Sequence, residues 1–159
     1  MLQIREILVP IDFTETSDRA LDYAVELAKL LQAHITVMHA YELPIYGFPD
    51  GALVATVDVA TRISQASQEA LQAALDKRKG CGVEMRVILR DGPPAEEIAT
   101  VAGEIKADLV VLGTHGRRGL RRAIMGSVAE EVIRECMCPV LTIHDPNAPT
   151  GKHKGARGH

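Results

Sequence analysis

Aromatic side chains are scarce in this chain. Its 159 residues include two Phe, three Tyr and no Trp, 3% of the total. A protein that grips unpaired bases on an aromatic platform needs more rings, so that class is set aside. Long apolar runs are missing too. No stretch approaches the roughly 20 residues that cross a bilayer. The first apolar run, Ile7–Ile11, is too short for the core of a secretory signal. Cys81, Cys136 and Cys138 form no disulfide framework and no C-x-x-C pair. They read as small buried thiols, and the expected location is cytoplasmic.

Basic charge is short over most of the chain. Lys152, Lys154 and Arg157 fall in the last ten residues, which leaves 15 basic against 21 acidic side chains before them. An acidic body is a poor partner for nucleic acid, whose binding depends on neutralising phosphates. One domain is expected over residues 1–146, with a basic, disordered tail over 147–159. That tail is either simply solvated or a contact arm for an acidic partner.

What is present is a regular alternation. Five Val- and Ile-rich runs read as strands: Ile7–Ile11, Ile35–Ala40, Val83–Leu89, Leu109–Leu112 and Val140–Ile143. Four stretches between them carry apolar residues at helical spacing, for example Ala20, Leu21, Ala24, Val25, Ala28 and Leu31. Pro93-Pro94 opens the third of these helices, and Gly80-Cys81-Gly82 follows the second. The order predicts an α/β fold: an open five-stranded parallel sheet with helices on both faces, Rossmann-like. The third strand mixes in Glu84, Arg86 and Arg90 and reads as an edge. The last strand has no charge and little chain after it to cover it; as a second edge it would pair with an identical subunit. The long connection from Tyr41 to Thr56 holds Tyr41, Tyr46 and Phe48, which either cover the sheet end or form a lid or contact surface.

Ligands of open parallel sheets bind beyond the strands' carboxyl ends, where strand order reverses. The P-loop and the G-x-G-x-x-G fingerprint are both absent there. Asp12 follows the first strand, suited to a ribose hydroxyl or to magnesium; the other reading is that Asp12 or Thr14 caps the first helix. Gly113-Thr114-His115-Gly116 follows the fourth strand, and after nine residues Gly126-Ser127 opens the fourth helix. Ser127-Val128-Ala129-Glu130 has the form of a capping box. A helix amino end with free N–H groups also takes phosphate, and glycines admit it closely, so the paired segments suggest a polyphosphate cradle. Arg117, Arg118, Arg121 and Arg122 reach phosphates or form a solvated loop; His115 contacts phosphate or lies on the surface; His39 and His144 read as core or interface histidines. No G-x-S-x-G elbow surrounds Ser127, which excludes a serine hydrolase of that type.

The spacing Gly113-x2-Gly116-x9-Gly126-Ser127, with Ile7-Leu8-Val9-Pro10-Ile11-Asp12, Val37-Met38-His39-Ala40 and Cys138-Pro139-Val140-Leu141, resembles the universal stress protein family in its ATP-binding branch. The resemblance runs from residue 4 to about 144 and implies the adenine nucleotide alpha hydrolase-like version of the fold. It implies ATP with Mg2+ held through the phosphates, and a stress-response regulator whose nucleotide state controls partner contact or assembly. Asp12 would meet the ribose; Pro10, Ile11 and Ala40 would hold adenine. Leu112, Gly113, His115 and Gly116 would line ribose and phosphates, and Gly126, Ser127 and Val128 would cradle the phosphates. A homodimer through Val140, Leu141, Thr142 and Ile143 is also implied. A slow ATPase or self-phosphorylating enzyme and a nucleotide-free scaffold remain open, although no general base stands out.

Overall fold

The computed structural model describes residues 3–43, 57–114 and 125–145. Nine elements alternate: β1 (Glu6–Pro10), α1 (Glu15–Leu31), β2 (His34–Tyr41), α2 (Val57–Asp76), β3 (Met85–Asp91), α3 (Pro94–Glu104), β4 (Leu109–Gly113), α4 (Ser127–Glu135) and β5 (Val140–Ile143). All strand pairs are parallel, and the sheet order is β3-β2-β1-β4-β5. The chain builds outward from β1 to β3, returns to the other side of β1, and builds outward again. Strand order therefore reverses between β1 and β4.

Strand parity divides the core. Ile7, Val9, Ile35, Val37, Leu109 and Val111 face one way and pack against Ala20, Leu21, Ala24, Val25 and Ala28 of α1 and Leu71 and Ala74 of α2. Leu8, Met38, Val110 and Leu112 face the other way and pack against Ala95, Ile98, Val101 and Ala102 of α3 and Ala129 and Val132 of α4. Strands sandwiched between helices are apolar on both faces, which is why alternation is absent from these runs. Each fully buried Leu, Ile or Val side chain stabilises the fold by about 1.5–3 kcal/mol.

Local chemistry sets the helix ends. Thr14 caps α1 by accepting from Ser17 N–H at 3.3 Å, Glu15 and Asp18 sit in its first turn, Lys29 sits in its last, and Gln32 closes it at φ 56°. Pro94 is the first residue of α3, where its missing N–H leaves no partner wanting. After α2 the chain turns through Gly80 and Gly82, both near φ 82–83°. There Arg78 is buried: its guanidinium donates to Asp22 Oδ1 (2.8 Å), Ala74 O (2.8 Å), Asp18 O and Asp18 Oδ1 (both 2.9 Å). One side chain thus ties the turn after α2 to the first half of α1.

The two edges match the charge reading. β3 pairs with β2 only and is guarded by Arg86, bonded to Thr36 Oγ1 (2.7 Å) and near Glu6 (3.3 Å), and by Arg90, paired with Glu104. β5 pairs with β4 only, and all four of its residues are half-buried. Two expectations need correcting. β3 starts at Met85 rather than Val83, because the chain is still leaving the left-handed turn at Gly82. The three thiols are half-buried rather than buried, since Cys81 sits in the turn after α2 and Cys136 and Cys138 in the short link before β5. Among the described residues no helix is long and apolar enough to cross a membrane.

Candidate functional site

The reversal point brings two chain segments together. Ile7 pairs with Leu109 and Leu8 with Val110, so continuing the register sets Ile11–Asp12 beside Gly113–Thr114 at the carboxyl ends of β1 and β4. Ile11, almost fully buried, donates its N–H to Met38 O at 2.8 Å. Asp12 is half-buried and braces the turn: Oδ1 accepts from Thr14 N–H (3.1 Å) and Thr14 Oγ1 (2.5 Å). The open choice of cap for α1 is resolved, with Thr14 as the cap and Asp12 supporting it.

On the other side, Leu112 is buried and Gly113 half-buried. Glycine at 113 answers a packing demand: a Cβ there would lie 2.8 Å from Thr16 Cγ2 and 3.2 Å from the Thr16 carbonyl carbon and oxygen. α1 crosses β4 so closely that only a hydrogen fits. Thr114 then links three elements. Its N–H donates to Ile143 O (3.0 Å), and its own carbonyl accepts the Gly126 N–H at 2.7 Å. The amino end of α4 is thereby fixed against the end of β4.

The capping box is not formed. Gly126 is the N-cap of α4, at φ −61° and ψ 150°, with no side-chain bond to the first turn, and Ser127 is the first helical residue. A serine inside the helix cannot swing its hydroxyl back over the free N–H groups, so that end keeps its donors and its positive dipole. Val128 is exposed beside it. Ala40, at the end of β2, is half-buried and pairs with Arg90. His115, Gly116 and the four arginines of 117–122 lie outside the described residues, as do Tyr46, Phe48 and the tail. His39 is buried, in agreement with a core histidine, whereas His144 is exposed just past β5.

Sequence reasoning missed Arg78, which no motif signals, and gave no role to Thr114, which falls at an unspecified position of the glycine motif; both act through partners elsewhere in the chain. Among the described residues no cluster of His, Cys, Asp or Glu has the grouping of a metal site. A shallow cleft of about 390 Å3 lies far from the reversal point, lined by Asp22, Lys29, Lys77, Arg78 and Cys81. In its lining Arg78 is already paired with Asp22, and Lys29 with Glu26.

Comparison with known proteins agrees with this architecture. Universal stress protein MJ0531 of Methanocaldococcus jannaschii is 33% identical over 144 residues, covering 89% of this chain and 83% of the relative. The solved structure of MJ0577 from the same organism superposes with a TM-score of 0.77 at 23% identity, covering 91% of this chain and 99% of that one. A universal stress protein crystallised in complex with cAMP gives a TM-score of 0.68 at 26% identity, covering 89% of this chain and 96% of the other. The family model for universal stress proteins matches residues 3–144. With the sheet order, the reversal-point crevice and the relatives in agreement, this chain belongs to the universal stress protein family.

Proposed function

We propose that this stress-response protein binds ATP at the crevice between β1 and β4, with Mg2+ carried on the phosphates, and that nucleotide state controls its assembly or its contact with a partner in the cytoplasm. The observation that carries the reading is the amino end of α4. It is nine residues long, has no side-chain cap, and is held at the end of β4 by the 2.7 Å bond from Gly126 N–H to Thr114 O. Backbone donors and the helix dipole converge where an anion would lie, next to the Asp12 turn.

Each residue has a role in that picture. Gly126 has a backbone conformation any residue can adopt, so close approach of phosphate, rather than strain, favours glycine there. Ser127 adds a hydroxyl, and the N–H groups of Ser127 and Val128 add donors. Asp12 would accept from the ribose, and the backbone at Pro10, Ile11 and Ala40 would take adenine among aliphatic strand ends. Leu112 and Gly113 would form the wall behind the sugar; the roles that the family resemblance implies for His115 and Gly116 lie outside the described residues. Phosphates would supply the magnesium ligands. A similar solved universal stress protein is in complex with cAMP, which supports an adenine nucleotide as the class of ligand.

The assembly half of the proposal rests on β5. Its outer edge has no partner strand among the described residues, and Ile133 and Met137 are exposed near it. An uncharged open edge invites a second copy of the same strand through Val140, Leu141, Thr142 and Ile143.

The test is calorimetric titration of the purified protein with ATP, with and without Mg2+, preceded by mass spectrometry of any small molecule it releases. Gly126→Val should retain the fold and weaken ATP by about tenfold or more, or about 1.4 kcal/mol. Unchanged affinity in a folded variant would place the cradle elsewhere. Phosphate release that never exceeds one per protein would separate the regulator from a slow ATPase.

A further inference from the structure

A buried side chain of β2 holds the turn that carries Asp12. His39 is 7% exposed, and its Nδ1 lies 2.7 Å from Ile11 O. A carbonyl only accepts, so Nδ1 carries the proton and donates. The same residue's N–H, on Ile11, donates to Met38 O at 2.8 Å. Both polar groups of Ile11 are therefore anchored to adjacent residues of β2. Two residues on, Phe13 occupies the left-handed region at φ 63°. A phenylalanine does so only where its surroundings hold it, because Cβ crowds the backbone in that conformation. What meets it is the His39 ring, with centroids 4.5 Å apart and planes tilted by 47°.

Asp12 lies between these two anchors. Its flanking residues are each held by His39, one by a hydrogen bond and one by ring packing. The bracing of Asp12 Oδ1 on Thr14 then sets the carboxylate within a turn whose ends cannot drift.

We infer that His39 is the positioning residue of the nucleotide site: by bonding Ile11 O through Nδ1 and packing on the left-handed Phe13, it fixes the Asp12 turn in the geometry that meets a ribose. The inference rests on the proposed nucleotide reading of the crevice. His39 is buried beneath the turn and acts through it, without touching ligand. A side chain that keeps a donor at the Nδ1 position should preserve the hold on Ile11, whereas a ring without one should not.

The experiment uses the full chain and five variants: His39→Phe, which keeps a ring and loses the donor; His39→Asn, which keeps a donor near Nδ1; His39→Gln, a milder loss of that donor if the phenylalanine variant does not fold; Asp12→Ala; and the double variant that combines His39→Phe with Asp12→Ala. Two readouts are taken after thermal melting has shown a folded protein. The first needs no ligand: amide NMR signals and hydrogen exchange of Asp12, Phe13 and Thr14. The second is the preference for ATP over 2′,3′-dideoxy-ATP by calorimetry.

His39→Phe or His39→Gln should shift the turn signals and speed their exchange, whereas His39→Asn, which keeps the donor but not the ring, should leave Asp12 near the wild-type values and still shift Phe13. The ribose preference should fall by about tenfold in His39→Phe, as in Asp12→Ala, with no further fall in the double variant. Turn signals that do not move in folded His39→Phe and His39→Gln overturn the inference. So does a loosened turn with the ribose preference intact. If the wild-type chain fails to bind ATP, the nucleotide reading falls, and the ligand-free NMR still decides whether His39 holds the turn.

Discussion

Gly113→Ala separates two reasons for a glycine at the end of β4. Gly113 is not among the residues with positive φ, so alanine meets no backbone strain there. On local grounds the change would even stabilise the protein by about 0.4–1 kcal/mol, by restricting the unfolded chain. The tertiary contact opposes this. The new Cβ would sit 2.8 Å from Thr16 Cγ2 and 3.2 Å from the Thr16 carbonyl carbon and oxygen. The methyl belongs to a β-branched residue in a helix, which has little rotamer freedom, and the carbonyl belongs to α1 itself. Relief therefore requires moving α1 away from β4 by several tenths of an ångström. Overpacking of this kind costs about 1–3 kcal/mol, which leaves a net loss of about 1–2 kcal/mol after the chain-entropy gain. Urea unfolding should show a lower midpoint at unchanged slope. Thr16→Ser removes the closest atom and leaves the two backbone contacts, so the alanine should cost roughly 1 kcal/mol less in that background. A loss under about 0.5 kcal/mol, or one of equal size in both backgrounds, would refute the packing explanation.

Arg78→Ala should destabilise by about 2–4 kcal/mol in the same assay, because two carbonyls and two carboxylates lose one buried guanidinium, and Arg78→Lys should recover only part, lacking the fork. The backbone N–H of Arg5, and then that of Glu6, hold the Asp108 carboxyl below its ordinary range. The unfolded group binds its proton first, at a pKa of about 3.9, so this stabilisation is complete above that pH and is lost as acid takes the pH down through the folded value; Asp108→Ala should flatten that part of an acid-unfolding curve. Burial, then Cys138 and Glu135, push the Cys136 thiol up to about 11. At pH 8 only about one thiol in a thousand is then ionised, so iodoacetamide labelling followed by mass spectrometry should find it nearly inert, with a rate still rising as the pH approaches 11.

Much of the fold was legible because burial on both sheet faces writes itself directly into composition. Runs such as Leu109–Leu112 are apolar throughout, and the charges of Arg86 and Arg90 mark β3 as an edge. The meeting of the Asp12 turn with the end of β4 was legible too, since both follow from the rule for strand ends at the point where strand order reverses. Local roles were less so. Ser127 has the pattern of a capping box, yet the helix begins one residue early and leaves Gly126 as the cap. The spacing Ser-x-x-Glu is necessary for that motif but does not fix which residue leaves helical geometry. Only packing revealed why position 113 is glycine, since Thr16 approaches it from a helix almost 100 residues earlier in sequence.

The sequence by itself determined the element types, their order and the apolar faces, because those depend on local signals: short apolar runs for strands buried on both faces and a 3.6-residue period for the helices. Tertiary structure alone decided what lies opposite what: β1 beside β4, Thr114 under the start of α4, Arg78 on α1, and His39 beneath the Asp12 turn. These are contacts between residues from about 12 to more than 100 apart in the chain. A hydrogen bond or close approach at that separation depends on the folded path of the whole chain, and no local pattern encodes it.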